Sequence, residues 1–557
     1  MPTALTGRRA CALGVLALLL SACSTTAERR QPADLLLTNA TILTVDDSFS
    51  IASTLVVTEG RVLAVGSDEL AAQYDARQTL DLAGATVMPG FNASHSHIHS
   101  YAPHYIPMAG IDSIAAIQTA VAEKAAALPP GSWITGYGWS EDELQEKRRP
   151  LKQDLDAAAP DNPVLLTRAG GHSAVASSLA LARAGIDEDT PQPEGGVIER
   201  DADGRLNGII RERQDLISQL VPAATDAELR ASLTASLEAL LPFGITSVTQ
   251  ASDQIDRWPL WQSIYRERGA TLPRASVQMH WRDPATMASF KATALDGVDP
   301  LRLRLGPIKI FADGGFTGPA AFTKEPYRGE ASYRGYLNFP GQELRALIDE
   351  VHAAGWQLGI HAIGDAAIEL TVDALVDALE ATPRADHRHY LNHFSMRPSD
   401  ATMAAMATHG IAITQQPNFT YTLAGRYSTY LNGWRLEHNN PLRSPMDAGI
   451  FLAISSDILP IGPLVGLYAA TTRRGMDGRV YGPDEAISMA EALTAYTYGG
   501  AWLSFEENEK GRLQPGMLAD FIVLDRNPLT IEPEEIMQLQ VMETWIGGER
   551  VWARSTP

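Results

Sequence analysis

The chain has 557 residues, of which 45% are hydrophobic and 20% charged, the composition of a folded globular protein and not of a disordered one. Its net charge of -21 repels nucleic-acid phosphates, and no basic run along the sequence opposes that, which argues against a nucleic-acid partner. Only two cysteines occur, Cys11 and Cys23, so the body of the chain can hold neither a disulfide framework nor a cysteine-based metal site.

The first 33 residues read as an address. Arg8 and Arg9 precede an apolar stretch, Cys11 to Leu20, that is too short for an ordinary spanning helix. Small residues follow, and Leu20-Ser21-Ala22-Cys23 resembles a bacterial lipobox. The expectation is a signal peptide over 1–22, a lipid anchor on Cys23, and a tether over 23–33. The mature protein would then be a membrane-anchored lipoprotein, held at the outer membrane and facing the periplasm.

Residues 34–88 read as short strands, with 53–57 and 61–66 flanking a Glu59-Gly60 turn. The C-terminal segment, 506–557, has the same character, with strands at 520–524 and around a Gly547-Gly548 turn. Each end is too small for a core of its own. They are expected to join as one composite β-sandwich domain.

Between them, β-rich runs alternate with amphipathic helical runs, the pattern of βα units and a parallel sheet. Candidate strands lie at 163–166, 245–248, 305–311, 357–361, 389–393, 411–414 and 450–457, with helices such as 341–354 and 366–381 between several of them. Together with the strand ending at Met88 they predict an α/β fold, a (β/α)8 TIM barrel over 89–505. The interval 101–230 is too long for one βα loop and is expected to be an inserted subdomain.

After Pro89-Gly90 the chain reads Phe91-Asn92-Ala93-Ser94-His95-Ser96-His97-Ile98-His99. Alternate residues of a strand face one side, so His95 and His97 can aim at one point, as two ligands of one ion must. His99 lies beyond the expected strand end. Lys309, His361, His393 and Asp457 fall in or at the ends of other predicted strands, where a barrel carries its chemistry. Six metal-competent groups at successive strand ends, with no cysteine available, point to a metal centre.

These motifs resemble the amidohydrolase superfamily, specifically the amidohydrolase-3 branch with its N-substituted formamide deformylase-like enzymes. The resemblance runs from about residue 34 to the C-terminus. It rests on His95-Ser96-His97, Lys309 through Asp313-Gly314, His361-Ala362-Ile363-Gly364-Asp365, His393, Ser456-Asp457 and the closing 513–524 segment. It implies two divalent metal ions, zinc first, with manganese, iron or cobalt as alternatives. His95, His97 and Asp457 would bind one ion, His361 and His393 the other, and a carboxylated Lys309 would bridge them. A bare ammonium has no acceptor, whereas a carbamate is an anionic two-oxygen ligand.

The same resemblance implies hydrolysis of a non-peptide C–N bond in a small molecule, an amide, N-formyl group or cyclic amide. Asp457 would move the proton and His172, in Gly170-Gly171-His172, would assist the oxyanion. Trp139 and Asp313 are candidate substrate-binding residues. Other readings on the same barrel are a lactonase or esterase, a deaminase, or a non-catalytic binding lipoprotein. Three positions depart from the branch: Ala93 stands where an aspartate is usual, and Tyr390 and Asn392 replace the usual arginine and glutamate before His393.

Overall fold

A computed structural model describes residues 30–555, apart from 109, 142–143, 169–171, 317–318 and 458–461. The expected signal peptide, Cys23 and most of the tether lie outside the described residues. The tether does not reach residue 33: Gln31–Thr38 is already a strand, pairing in parallel with Tyr74–Asp81, and Ala33 is buried by that pairing. Among the described residues no helix is long and apolar enough to cross a membrane.

Eight strands form the central sheet, each parallel to its neighbours and in chain order around it. They are β1 (Phe91–Ser96), β2 (Ile245–Asp253), β3 (Arg274–His280), β4 (Leu303–Phe311), β5 (Leu358–Ala362), β6 (Tyr390–His393), β7 (Ala412–Gln415) and β8 (Leu452–Ile454). The sheet closes where β8 meets β1. There Asp457 N donates to the His95 carbonyl at 3.1 Å, and Ser455 Oγ donates to the same carbonyl at 2.6 Å. This is the expected (β/α)8 barrel. Its helices pack by one apolar stripe: Leu344, Ile348 and Val351 in Gly341–Ala353, and Ile368, Val372, Leu375 and Leu379 in Asp365–Ala381, are buried at helical spacing.

Two expected barrel strands lie elsewhere. Val164–Arg168 pairs with Ile134–Trp139 in the insertion, and Thr86–Pro89 pairs antiparallel with Phe521–Leu524. Their barrel places go to β1 and to β3, which the sequence reading passed over. In β3, Ala275, Val277 and Met279 alternate with Ser276 and Gln278, and all five are buried. Its opening residue, Arg274, is buried against Asp520.

The N- and C-terminal segments share one six-stranded sheet, which packs on the four-stranded sheet of 31–81. Leu37, Leu55, Ile42, Val87, Phe521 and Trp545 fill the space between them. The C-terminal hairpin, Val541–Ile546 and Glu549–Ala553, turns at Gly547 and Gly548 with φ of 62° and 74°, values that favour glycine. The insertion carries a six-stranded sheet spanning Tyr105–Pro107 to Leu206–Arg211, with cores of its own.

Candidate metal centre

Parallel register brings the predicted ligands to one end of the barrel. His95 lies in β1 and His97 just beyond it; Lys309 lies in β4, His361 in β5, His393 at the end of β6, and Asp457 after β8. Phe311 sits opposite His361, Ala362 opposite His393, and Ser96 bridges to Asp457.

The geometry is that of an assembled but unsatisfied polar cluster. His95 is fully buried, and neither of its ring nitrogens has a hydrogen-bond partner. Lys309 Nζ and Asp457 Oδ1 are buried without a hydrogen bond as well. Orphaned buried polar atoms are costly and rare, so several in one place ask for a common partner. One ligand atom from each of His95, His393 and Asp457 falls within 4.8 Å of the others. His97 Nε2 lies 3.4 Å from Asp457 Oδ1, and His393 Nδ1 lies 3.9 Å from Oδ2. The His361 ring centre is 4.5 Å from that of His393, and His95 is 4.9 Å from His393.

Charge follows burial. Desolvation, reinforced by the positive charge of Lys309, holds His97 and His361 at about 3 and His95 well below the ordinary histidine value. Burial, with His361 and Lys309 nearby, does the same to His393. All four are therefore neutral near pH 7, the form that ligates metal. Burial lowers Lys309 to about 7 against the pull of Asp457, and raises Asp457 to about 7 against the pull of Lys309. Four neutral imidazoles, a carboxylate and a deprotonatable amine form a donor set that fits a divalent ion.

The backbone is strained at two of these positions. His393 has φ 79° and Asp457 φ 57°, left-handed values that non-glycine residues rarely adopt and that concentrate at functional sites. Gln416, which the sequence reading did not single out, fixes the His393 ring: its Oε1 lies 2.8 Å from His393 Nδ1. Nδ1–H donating to that oxygen leaves Nε2 free for an ion. The adjacent pair Gln415-Gln416 at the end of β7 was the signal for it. His280 was also passed over. It ends β3, its ring centre 6.0 Å from that of Phe311, and its Nδ1 lies 2.7 Å from Gln254 Nε2.

Three expected site residues are not among the converging groups, although one of them, Asp313, borders His361. Asp313 is wholly enclosed, and its carboxylate accepts from Phe322 N, Gly364 N and Ile363 N at 2.9, 2.9 and 3.1 Å. It ties the loops after β4 and β5 together where substrate contact was expected, and it lies 3.6 Å from His361 Nε2, whose hydrogen-bond partner is the Gly314 carbonyl at 3.4 Å. Trp139 is buried in the insertion's core, where it packs, its Nε1 donating to the Leu166 carbonyl at 3.0 Å. His172 has a side chain 81% exposed, with Nδ1 3.2 Å from Glu212 Oε2. Among the described residues it contacts none of the six, and 169–171 of its motif lie outside them. His99 stacks on His97 at 5.9 Å and continues into Tyr101, outside the converging group.

The three departures are buried. Ala93 packs in the apolar core. Tyr390 Oη accepts from Gln278 Nε2 at 3.0 Å, and neither amide atom of Asn392 has a partner.

The amidohydrolase family profile matches residues 78–552. YtcJ of Bacillus subtilis is 30% identical over 517 residues, covering 90% of this chain and 96% of that protein. An N-substituted formamide deformylase of Arthrobacter pascens is 30% identical over 546 residues, covering 93% of this chain and 98% of the relative. The crystal structure of an uncharacterized metal-dependent hydrolase from Pyrococcus horikoshii superposes with a TM-score of 0.69 at 26% identity, covering 90% of this chain and 99% of that one.

Proposed function

The chain belongs to the amidohydrolase family, and from that premise we propose that this metal-dependent hydrolase cleaves a non-peptide C–N bond, in an amide, N-formyl group or cyclic amide of a small molecule. The observation that carries the reading is the cluster of His95, His97, Lys309, His361, His393 and Asp457 at one end of the barrel, with orphaned atoms on His95, Lys309 and Asp457. The formamide deformylase of similar sequence, matched over nearly its whole length, supports the bond type.

In this reading His95, His97, His361, His393 and Asp457 hold one or two divalent ions, zinc first, and Lys309 joins them as a carbamate. Its buried, readily deprotonated amine favours reaction with carbon dioxide, in which the N–C bond forms and one proton leaves. A divalent ion bound there supplies Lewis acidity, activating water and polarising the scissile carbonyl. The protein groups do the rest. Gln416 orients His393, and the Gly314 carbonyl, in the loop that Asp313 ties down, orients His361. Asp457, held in place by the β1–β8 closure, is placed to take a proton from water and return it to the leaving amine. The burial of His95, Lys309, His393 and Asp457 limits bulk water around the reacting groups.

The test is elemental analysis of purified protein, coupled to rates on a panel of N-formyl amines, amides, cyclic amides and lactones. Metal content with preferred C–N cleavage supports the proposal; a preference for lactones overturns the bond assignment. The lipid anchor on Cys23 belongs to the same proposal, with the outer membrane facing the periplasm as its location. Labelled palmitate incorporated by the wild type and lost in Cys23→Ser is the expected result, and label retained by Cys23→Ser contradicts it.

A further inference from the structure

The opposite end of the barrel holds a second polar concavity. It is a cavity of about 230 Å³ at the N-terminal ends of β3 and β4 and under the turns that lead into β5 and β6. Lys291, Arg304, Arg384 and His387 line it, together with the hydroxyls of Ser276 and Ser504 and one carboxylate, Asp386.

The charges there do not balance locally. Asp386 lines the cavity and Glu506 stands near it, and both carboxylates are already engaged. Asp386 is paired with Arg388 at 2.7 Å. Glu506 is paired with Lys510 at 2.7 Å and reaches Arg304 at 3.5 Å. Among the described residues neither Lys291 nor Arg384 has a carboxylate within 4.0 Å. Lys291 Nζ donates to the Gly355 carbonyl at 3.4 Å and lies 4.6 Å over the Trp356 ring. Arg384 Nη2 donates to the Trp356 carbonyl at 2.7 Å, while its Nε is buried with no partner. In a chain of net charge -21, two cations facing one small cavity with no ion-pair partner of their own, its one lining carboxylate being held by Arg388, are an exception that needs a cause. Burial lowers both cations below their ordinary values, and the charge of Arg384 lowers Lys291 further, so each holds its proton against a cost.

We propose that this cavity binds a tetrahedral oxyanion, of phosphate or sulfate charge and shape, between Lys291 and Arg384. An anion there satisfies the Arg384 Nε–H and removes the repulsion between the two cations. Guanidinium matches such oxygens through paired N–H donors, and an ammonium adds a point charge. The volume lies below the range of pockets that hold drug-sized ligands, which suits a compact ion. The ion would cross-link Gly355–Gln357 with 384–387, the turns that set β5 and β6 and hence His361 and His393. It is thus a structural anion beneath the candidate centre, and it stands independently of which bond that centre cleaves.

The experiment measures binding of inorganic phosphate and of sulfate to the metal-loaded full-length protein, by calorimetry and thermal shift against sodium chloride at equal ionic strength. The variants are Lys291→Gln and Arg384→Gln. Lys291 is an exposed side chain, so its variant keeps the test decisive should Arg384→Gln fold poorly. The expected result is a midpoint rise with phosphate in the wild type and at least tenfold weaker binding in Lys291→Gln, with hydrolytic rates unchanged. Glycerol 1-phosphate distinguishes the source: tighter binding of it, also lost in Lys291→Gln, identifies an esterified phosphate, and tighter inorganic phosphate identifies the free ion. Equal phosphate binding by wild type and Lys291→Gln overturns the proposal, as does a wild-type response no larger than that to chloride.

Discussion

The buried Arg274–Asp520 pair makes the sharpest stability prediction. Asp520 belongs to the C-terminal segment and Arg274 opens β3, so the pair fastens the composite β domain to the barrel. Arg274 Nε and Nη2 donate to the two carboxylate oxygens at 2.6 and 3.0 Å, and Gly547 N donates to Oδ1 at 2.7 Å. Both side chains are 3% exposed. Asp520→Asn keeps the volume but leaves the guanidinium buried without its counter-charge, a change that costs about 3–5 kcal/mol. Replacing both partners, as Arg274→Met with Asp520→Leu, removes the orphaned charge and is expected to recover most of that loss. Urea unfolding followed by tryptophan fluorescence measures the difference, and hydrogen exchange at Phe521–Leu524 localises it. A loss below about 1 kcal/mol in Asp520→Asn would refute the reasoning, since that is the scale of an exposed pair. The pH dependence has a fixed sign. Burial raises the Asp520 carboxyl, but Arg274 and the Gly547 N–H outweigh it and hold the folded value below the ordinary one. Its stabilisation is therefore complete above the unfolded value of about 3.9 and disappears as pH falls through the lower folded value. The acid limb of the stability curve should flatten in Asp520→Asn.

Other predictions concern the centre and its frame. If Lys309 bridges the ions as proposed, Lys309→Ala should lower metal affinity, measured by competition with a chelator, by more than about 100-fold, beyond the usual effect of an orienting residue. Asp313→Asn places an amide donor against three backbone N–H groups and loosens His361; a fall in metal affinity of about 10- to 100-fold is expected, with folding intact by circular dichroism. Trp139→Ala should cost about 3–5 kcal/mol as a core truncation while the metal content per folded chain stays unchanged.

The barrel and the six clustered groups were legible because strand and metal chemistry both write short-range patterns: His-x-His at period two, and lone His, Lys or Asp at the ends of apolar runs. Sheet membership was less legible. Val164–Arg168 and Thr86–Pro89 have the same β character as the barrel strands, and nothing local tells which sheet they join. β3 was hidden by Arg274 at its start and by the polar alternation of Ser276 and Gln278, which reads as an exposed face although the barrel interior buries it. Trp139 was a pocket candidate from its sequence, but the irregular register between Tyr137 and Trp139 accompanies a ring buried in the core of the insertion. Asp313 looked like a pocket residue because two of its three backbone partners, Ile363 N and Gly364 N, lie about 50 residues away in the next βα loop. The basic cavity was invisible for a similar reason: Lys291, Arg304 and Arg384 are dispersed along an acidic sequence and meet only when the barrel closes.

The central claim is that the six strand-end groups hold catalytic metal. The most direct measurement is metal content against hydrolytic rate during stepwise chelation and reconstitution of the purified full-length protein. One or two divalent ions per chain are expected, with activity lost and regained in proportion to them and with neither metal nor activity recovered in Lys309→Ala. Full activity on an N-formyl or amide substrate in protein stripped of metal would contradict it.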